Sequence, residues 1–205
     1  MGQEQETVAI PKRGEYLSAL RELEPNVYKF GERIDDVTTQ PATRRTVESH
    51  ALACDAADDS ELADLYTTTS TLSGETIARW NSLMRSAEDL IGNMRVKRQN
   101  FRRCGTCTGA ICVGWNAQNV MWAVTHDMDR ALGTDDQRRL ERWILSAERR
   151  GLTVAGALTD AEGDRSLKPS QQPDPDTLLR VTEVRDDGIV LRGAGDLPAA
   201  RRRLR

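Results

Sequence analysis

The sequence predicts a mostly α-helical N-terminal domain followed by the start of a β domain, a sheet or barrel of which only the opening strands are present. Three observations predict it. Apolar residues recur at three- and four-residue spacing up to about residue 150, the pattern turns short and β-branched after Gly151, and Asp186-Asp187-Gly188 sits between two apolar runs as a hairpin signal. One hairpin with one extra strand has open edges and little core, so the β part reads as the beginning of something larger.

The elements follow in order. Residues 1–13 are polar and aperiodic and read as a disordered start, after which Tyr16, Leu17, Leu20 and Leu23 share one helical face up to Pro25. Residues 26–40 mix aromatic, glycine and β-branched side chains and read as irregular or extended. Pro41, a good first-turn residue, opens a helix to about Ala57 through Val47, Ala51 and Cys54, and Asp58-Asp59-Ser60 caps a brief one. The longest helix is expected from Ser73 to about Arg103, where Ile77, Trp80, Leu83, Met84, Leu90, Ile91 and Met94 follow a serine with a glutamate close behind it. A glycine-cysteine knot, CGTCTGAIC from Cys104 to Cys112, interrupts the pattern before a helix through Val120, Met121, Trp122, Val124 and Leu132. Gly133-Thr134-Asp135 reads as a stop followed by an N-cap, and Leu140, Ile144, Leu145 and Ala147 define the next helix, ended by Gly151. Leu152 to Thr159 reads as a buried strand, Lys168 to Pro175 as a loop, and Gly188 as the positive-φ residue of the hairpin turn. The expected organisation is thus a helical domain over 14–150, a partial β domain over 151–194 and a basic tail over 195–205 that lies outside the fold.

Composition narrows the function classes. In 205 residues, 32 Asp and Glu oppose 29 Lys and Arg, a net charge of −3, so no global field draws the chain to nucleic acid or an anionic membrane. No apolar run approaches the roughly 20 residues of a membrane helix and no signal-peptide h-region opens the chain, so the expected compartment is the cytoplasm. The tail Arg201, Arg202, Arg203 and Arg205 reads as a short anionic-surface or nucleic-acid contact, as a solvated terminus or, the favoured reading, as a stretch foreign to the original fold where the sheet is interrupted. No G-x-G-x-x-G, G-x4-G-K-S/T or G-x-S-x-G run occurs, which removes the common nucleotide-loop and serine-hydrolase fingerprints. Trp80, Trp115, Trp122 and Trp143 sit on helical patterns and read as core, Cys54 as a buried helix residue, and His50 and His126 as helix-surface or core histidines.

Two constellations carry chemistry. Cys104-x2-Cys107-x4-Cys112 offers thiolates that suit iron–sulfur or zinc, with reduced thiols or a disulfide as the plainer readings. LTDAEGDR, from Leu158 to Arg165, is on its own a polar turn between strands.

The run GALTDAEGDRSLKPS from Gly156 to Ser170, then Asp174-Pro175-Asp176, Arg180-Val181 and DDGIVLRGA from Asp186 to Ala194, resembles the flavin domain of the 4-hydroxyphenylacetate 3-hydroxylase superfamily, nearest its 4-hydroxybutyryl-CoA dehydratase branch. Upstream, Tyr16-Leu17, Val27-Tyr28-x-Phe30-Gly31-Glu32, Asp64-Leu65-x-Thr67-Thr68 and Cys112-Val113-Gly114 with Ala117 and Asn119 fall in the order that family shows, so the likeness spans about residues 14–194.

The resemblance implies a much longer subunit with an acyl-CoA dehydrogenase-like architecture: an N-terminal helical domain, a middle β-barrel and a C-terminal helical bundle, assembled as a homo-oligomer. It implies FAD, met by Leu158, Thr159, Asp160, Gly163, Asp164, Arg165 and Ser166, with Gly163 letting the backbone approach the ring. In the dehydratase branch it also implies a 4Fe-4S cluster, two of whose ligands match Cys107 and Cys112. The substrate is an acyl-CoA in that branch and a phenol in the monooxygenase branch, which carries no cysteine cluster. Two departures stand out. The cysteine spacing is one residue longer than the family's C-x3-C, and on a continuous helix that turns the second thiolate from about 400° to about 500° of advance, roughly 140° off the first. A non-helical knot held by Gly105 and Gly109, or a one-residue bulge, would absorb it. At Gly195 the family's continuing strand gives way to the arginine tail, which reads as a truncation and implies a product inactive alone. A non-catalytic helical module that pairs with a partner chain is the alternative of a different class.

Overall fold

A computed structural model describes residues 10–24, 26–105, 110–155 and 163–193. Helix α1 (Arg13–Glu22) lays Tyr16, Leu17 and Leu20 against Ile34, Val37 and Val47. The segment expected to be irregular is a tight hairpin of β1 (Val27–Lys29) and β2 (Glu32–Ile34), in which Val27 faces Ile34. Its turn holds Phe30 at φ 55° and Gly31 at φ 84°, the left-handed pair that matches the twist of two antiparallel strands.

Helix α2 (Pro41–Asp58) starts where the sequence places it, with Pro41 at its first turn and the Gln40 side chain accepting from the Ala42 N–H. Its inner face is built from small residues, with Ala51, Ala53, Cys54 and Ala56 fully enclosed, so neighbouring elements approach closely. The short α3 (Ala63–Tyr66) then carries Tyr66 into the core.

The long helix expected from Ser73 is absent over nearly half its expected length. Strand β3 (Thr67–Thr69) pairs antiparallel with β4 (Thr76–Ala78), and a 3-10 turn covers Arg79–Asn81. Three β-branched threonines favour the extended ladder, Gly74 turns the chain at φ 76°, and the Arg79 guanidinium donates to the Leu65 and Asp64 carbonyls. Trp80 and Leu83 are buried from this non-helical backbone. The helix itself, α4 (Ala87–Cys104), begins at Ser86, whose hydroxyl accepts from Asp89 N at 3.1 Å while the Asp89 carboxylate accepts from Ser86 N at 2.9 Å.

Gly105, at φ 69°, ends α4 by donating to the Phe101 carbonyl. A π-helical turn over Ala110–Gly114 leads into α5 (Trp115–Leu132), and Gly133 ends that helix in the left-handed region, as expected. Asp135 precedes α6 (Asp136–Arg149) but makes no cap bond; the Asp129 carboxylate instead accepts from Asp136 N and Gln137 N. Gly151, at φ 56°, closes α6.

After α6 the structure follows the predicted change of grammar only in part. Residues 152–155 form no ladder, and residues 156–162 of the expected strand lie outside the described residues, as does the tail beyond 193. The hairpin is present as β5 (Arg180–Arg185) and β6 (Gly188–Arg192) around Asp186-Asp187. Gly188 pairs with Arg185 inside the ladder and is not at positive φ, so the turn does not depend on it as expected. The described strands thus form three separate two-stranded antiparallel sheets, the last almost wholly exposed.

The core is divided among three clusters. The main one gathers Ala53, Ala56, Ala57, Tyr66, Ala78, Trp80, Val96, Ile111 and Trp115; the second is the α1–α2 cluster above; the third joins Leu83, Leu140 and Ile144, with Trp122 against them. Trp80 and Trp115 are core as expected, whereas Trp143 is 37% exposed. Leu90, Ile91 and Met94, counted toward an apolar helix face, point to solvent. Among the described residues no helix is long and apolar enough to cross a membrane.

Candidate functional site

The π-turn places Cys112 between Ile111, which is enclosed in the main core, and Gly114. A π-turn bonds i to i+5 and takes up one residue more than an α-turn; here it covers Ala110–Gly114, at the C-terminal end of the cysteine spacing. Cys107 lies outside the described residues. The Cys104 thiol, on the last turn of α4, donates to the Asn100 carbonyl at 3.0 Å. Among the described residues no three His, Cys, Asp or Glu side chains converge as a metal site.

The first turns of α5 hold the cysteine turn in place. Trp115 Nε1 and Asn119 Nδ2 donate to the Ser82 carbonyl, Gln118 Nε2 donates to the Asn81 carbonyl at 2.7 Å, and Met84 N donates to Asn119 Oδ1 at 2.6 Å. Asn119, one of the motif residues, therefore has a structural duty: it reads the backbone that follows the 3-10 turn.

Of the residues expected to meet a flavin, Leu158, Thr159 and Asp160 lie outside the described residues, and Gly163, Asp164, Arg165 and Ser166 are seen. Asp164 Oδ1 accepts from both the amide and the hydroxyl of Ser166, at 2.9 and 2.6 Å, which holds its carboxyl below the usual range. Gln172 spans the same bend, accepting from Asp164 N at 3.0 Å and donating to Asp164 O at 2.8 Å. A Cβ at Gly163 would collide with the Gln172 side chain, so in this structure the glycine makes room for Gln172 and Thr177.

The sequence gives no connecting role to the residues that join the two constellations, although Gly114 lies in the Cys112-Val113-Gly114 motif and His50 reads as a helix-surface or core histidine. A Cβ on Gly114 would overlap the Val154 carbonyl oxygen, so the end of the cysteine turn lies directly on the backbone entering the loop. One residue earlier, Thr153 Oγ1 and His50 Nε2 share a hydrogen bond of 2.7 Å across the fold from α2. The His50 ring packs against Tyr16, with centroids 4.8 Å apart, and edge-on to Trp80 at 6.1 Å. Burial pulls its pKa down to about 4, so the imidazole is neutral, and its Nδ1 has no partner. One turn along α2, burial pushes the Cys54 thiol up to about 12, in keeping with a structural, unreactive cysteine. The sequence signal for Thr153 was only its place just ahead of the loop; Gln172 had none.

Glu148 is a further buried acid, 3% exposed, whose carboxylate accepts from the Ser70 hydroxyl at 2.9 and 3.0 Å. Burial raises its pKa, and the Ser70 bond opposes that rise. Ser70 also accepts from Leu72 N and Ser73 N, so this group braces the turn between β3 and β4 against α6.

A family model described as 4-hydroxyphenylacetate 3-hydroxylase N terminal matches residues 12–197. The 4-hydroxybutyryl-CoA dehydratase/vinylacetyl-CoA-Delta-isomerase of Clostridium aminobutyricum is 38% identical over 180 residues, which is 88% of this chain and 36% of that protein. An oxygen-tolerant archaeal 4-hydroxybutyryl-CoA dehydratase from N. maritimus superposes with a TM-score of 0.83 at 31% identity, over 90% of this chain and 36% of the other. The oxygenase component of 4-hydroxyphenylacetate 3-monooxygenase, complexed with FAD and 4-hydroxyphenylacetate, superposes with a TM-score of 0.71 at 25% identity, over 89% and 37%. The chain spans about a third of the length of these relatives.

Proposed function

Because this chain belongs to the 4-hydroxyphenylacetate 3-hydroxylase N-terminal family, we propose that it supplies the helical domain (14–150) and the opening of the β-barrel domain (151–194) of an FAD-dependent enzyme of the 4-hydroxybutyryl-CoA dehydratase type. The reaction is the dehydration of 4-hydroxybutyryl-CoA to crotonyl-CoA within an acyl-CoA dehydrogenase-like homo-oligomer in the cytoplasm. The observation that carries this reading is the higher identity and closer superposition with the dehydratases than with the monooxygenase, in a chain that also holds the cysteine knot.

FAD, when bound, supplies one-electron and hydrogen transfer. The residues seen form a fixed bend that a flavin could meet: Asp164 is held by the amide and hydroxyl of Ser166 and by Gln172. The described residues do not assemble a four-ligand set for a 4Fe-4S cluster, and Cys107 with Cys112 would provide half of one. Since the matched region is about a third of the relatives, the chain alone is expected to lack turnover.

Anaerobic purification followed by absorption spectroscopy tests the reading. The chain alone should carry substoichiometric flavin and no iron–sulfur absorption, and co-expression with the remaining two-thirds of a dehydratase should yield a complex with flavin bands. Stoichiometric flavin with turnover by the chain alone, or no association with the remainder, overturns it. The second reading, an FAD-dependent aromatic hydroxylase, is favoured by the likeness to the oxygenase complexed with FAD and 4-hydroxyphenylacetate. A reconstituted complex that hydroxylates a phenol and leaves 4-hydroxybutyryl-CoA untouched would select it.

A further inference from the structure

We propose that His50 and Thr153 are positioning residues that hold the backbone leading into the 158–166 segment against the Cys112 turn. The consequence for cofactor binding rests on the flavin reading above; the tie itself does not.

The argument starts from how residues 152–155 are placed. They belong to no ladder, so no row of backbone hydrogen bonds sets their path. Leu152 N donates to the Ala147 carbonyl at 2.9 Å, and beyond it two contacts among the described residues place consecutive residues from different elements: the Thr153 hydroxyl on His50 Nε2 at 2.7 Å, and the Val154 carbonyl on the Cβ-less face of Gly114. Gly114 ends the π-turn, two residues after Cys112, and Val154 stands two residues before Gly156. The cysteine turn and the loop entrance are therefore one mechanical unit, and the polar contact that secures it comes from α2.

His50 has the character such a role needs. It is 5% exposed, its ring is enclosed by Tyr16 and Trp80, and Nδ1 is unsatisfied. An apolar ring would fill that space without burying a polar nitrogen, so the one thing the imidazole adds is the bond to Thr153. That bond closes a loop of 103 residues between α2 and the segment after α6. Thr153 in turn offers the shortest hydroxyl-bearing side chain that still carries a methyl for packing, which makes its two functions separable by substitution.

The test uses the full chain, with iodoacetamide as the probe and peptide mass spectrometry as the readout, and Cys54 as the internal control. Thr153→Val should raise the alkylation rate of Cys112 by a factor of about five, the equivalent of one lost hydrogen bond, with Cys54 unchanged. Thr153→Ser, which restores the hydroxyl, should return the rate to that of the wild type. An unchanged rate in T153V, or T153S behaving as T153V does, overturns the proposal and leaves Thr153 a packing residue. Should T153V fail to fold, His50→Gln and His50→Leu decide the matter: an equal gain in Cys112 reactivity in both, or in neither, overturns it, and a gain confined to H50L supports it. Titration with FAD, followed by flavin fluorescence, separates the two readings. Wild type and T153S should bind alike and T153V about fivefold more weakly, whereas no binding to the wild type tells against the flavin reading and leaves the alkylation rates to judge the tie.

Discussion

His50 sits where solvent cannot reach it, and that has a consequence for stability against pH. Its pKa falls from 6.5 to about 4 on folding because burial penalises the charged ring. The unfolded chain therefore takes up the proton first: the contribution is neutral above about pH 6.5, and stability is lost as pH falls from there toward 4, by at most about 3 kcal/mol. Denaturant midpoints read from tryptophan fluorescence at about pH 7.5 and about pH 4.5 should drop steeply for the wild type and less for His50→Gln; equal drops would remove this account. At this scale the sequence was a partial guide. Burial of Cys54 and Trp115 was legible from helical spacing, and Trp80 is buried as well, from a 3-10 turn where the expected helix does not form. The His50–Thr153 contact was not, because it joins residues 103 apart and no local pattern encodes such a pairing.

Helix starts show where periodicity misleads. Ser73 and Ser86 both precede apolar residues at helical spacing, yet only Ser86 exchanges two bonds with an acid at the third helical position, and only there does a helix begin. Ser86→Ala should cost about 1 kcal/mol of the transition that Trp80 and Trp115 report, and Ser73→Ala no more than a few tenths; a reversed order would contradict the assignment. The apolar run from Ile77 to Leu83 fits a helix by spacing, but extended and 3-10 backbone bury the same residues. What decided between them was the threonine-rich partner strand, which is a tertiary fact. The same holds for Asp129, which caps a helix from seven residues away, and for the π-turn, whose existence the cysteine spacing hinted at but whose position it did not. Helices α2, α5 and α6 and the β5–β6 hairpin were legible from Pro41, the Gly133 and Gly151 stops and the Asp-Asp-Gly turn, although Asp135 makes no cap bond and Gly188 is not at positive φ.

Seen whole, the molecule leaves apolar side chains uncovered on several faces: Leu90, Ile91, Met94 and Phe101 on α4, and Val120, Met121, Val124 and Leu132 on α5. Met94 and Phe101 flank a shallow groove with Lys97, Arg98 and Arg102. Exposed patches of this kind mark association surfaces, and periodicity cannot show which side of a helix is covered when the covering element is elsewhere. Under the proposed function they would meet the polypeptide that the relatives carry beyond the matched third. The isolated chain should accordingly self-associate with concentration in sedimentation runs, and Met94→Glu with Phe101→Glu should shift it toward monomer without lowering its melting temperature, because both side chains are more than half exposed. A wild type that stays monomeric throughout would refute this.

The division of the interior into three clusters has one more consequence. The N-terminal group of Ile34, Val37 and Val47 is small and touches its neighbours mainly through α1 and α2, so heat or denaturant can dissolve it while Trp80 and Trp115 remain enclosed. For such a polypeptide the native state is a hierarchy of partly independent melts, and a lone unfolding free energy would average over them rather than describe any one.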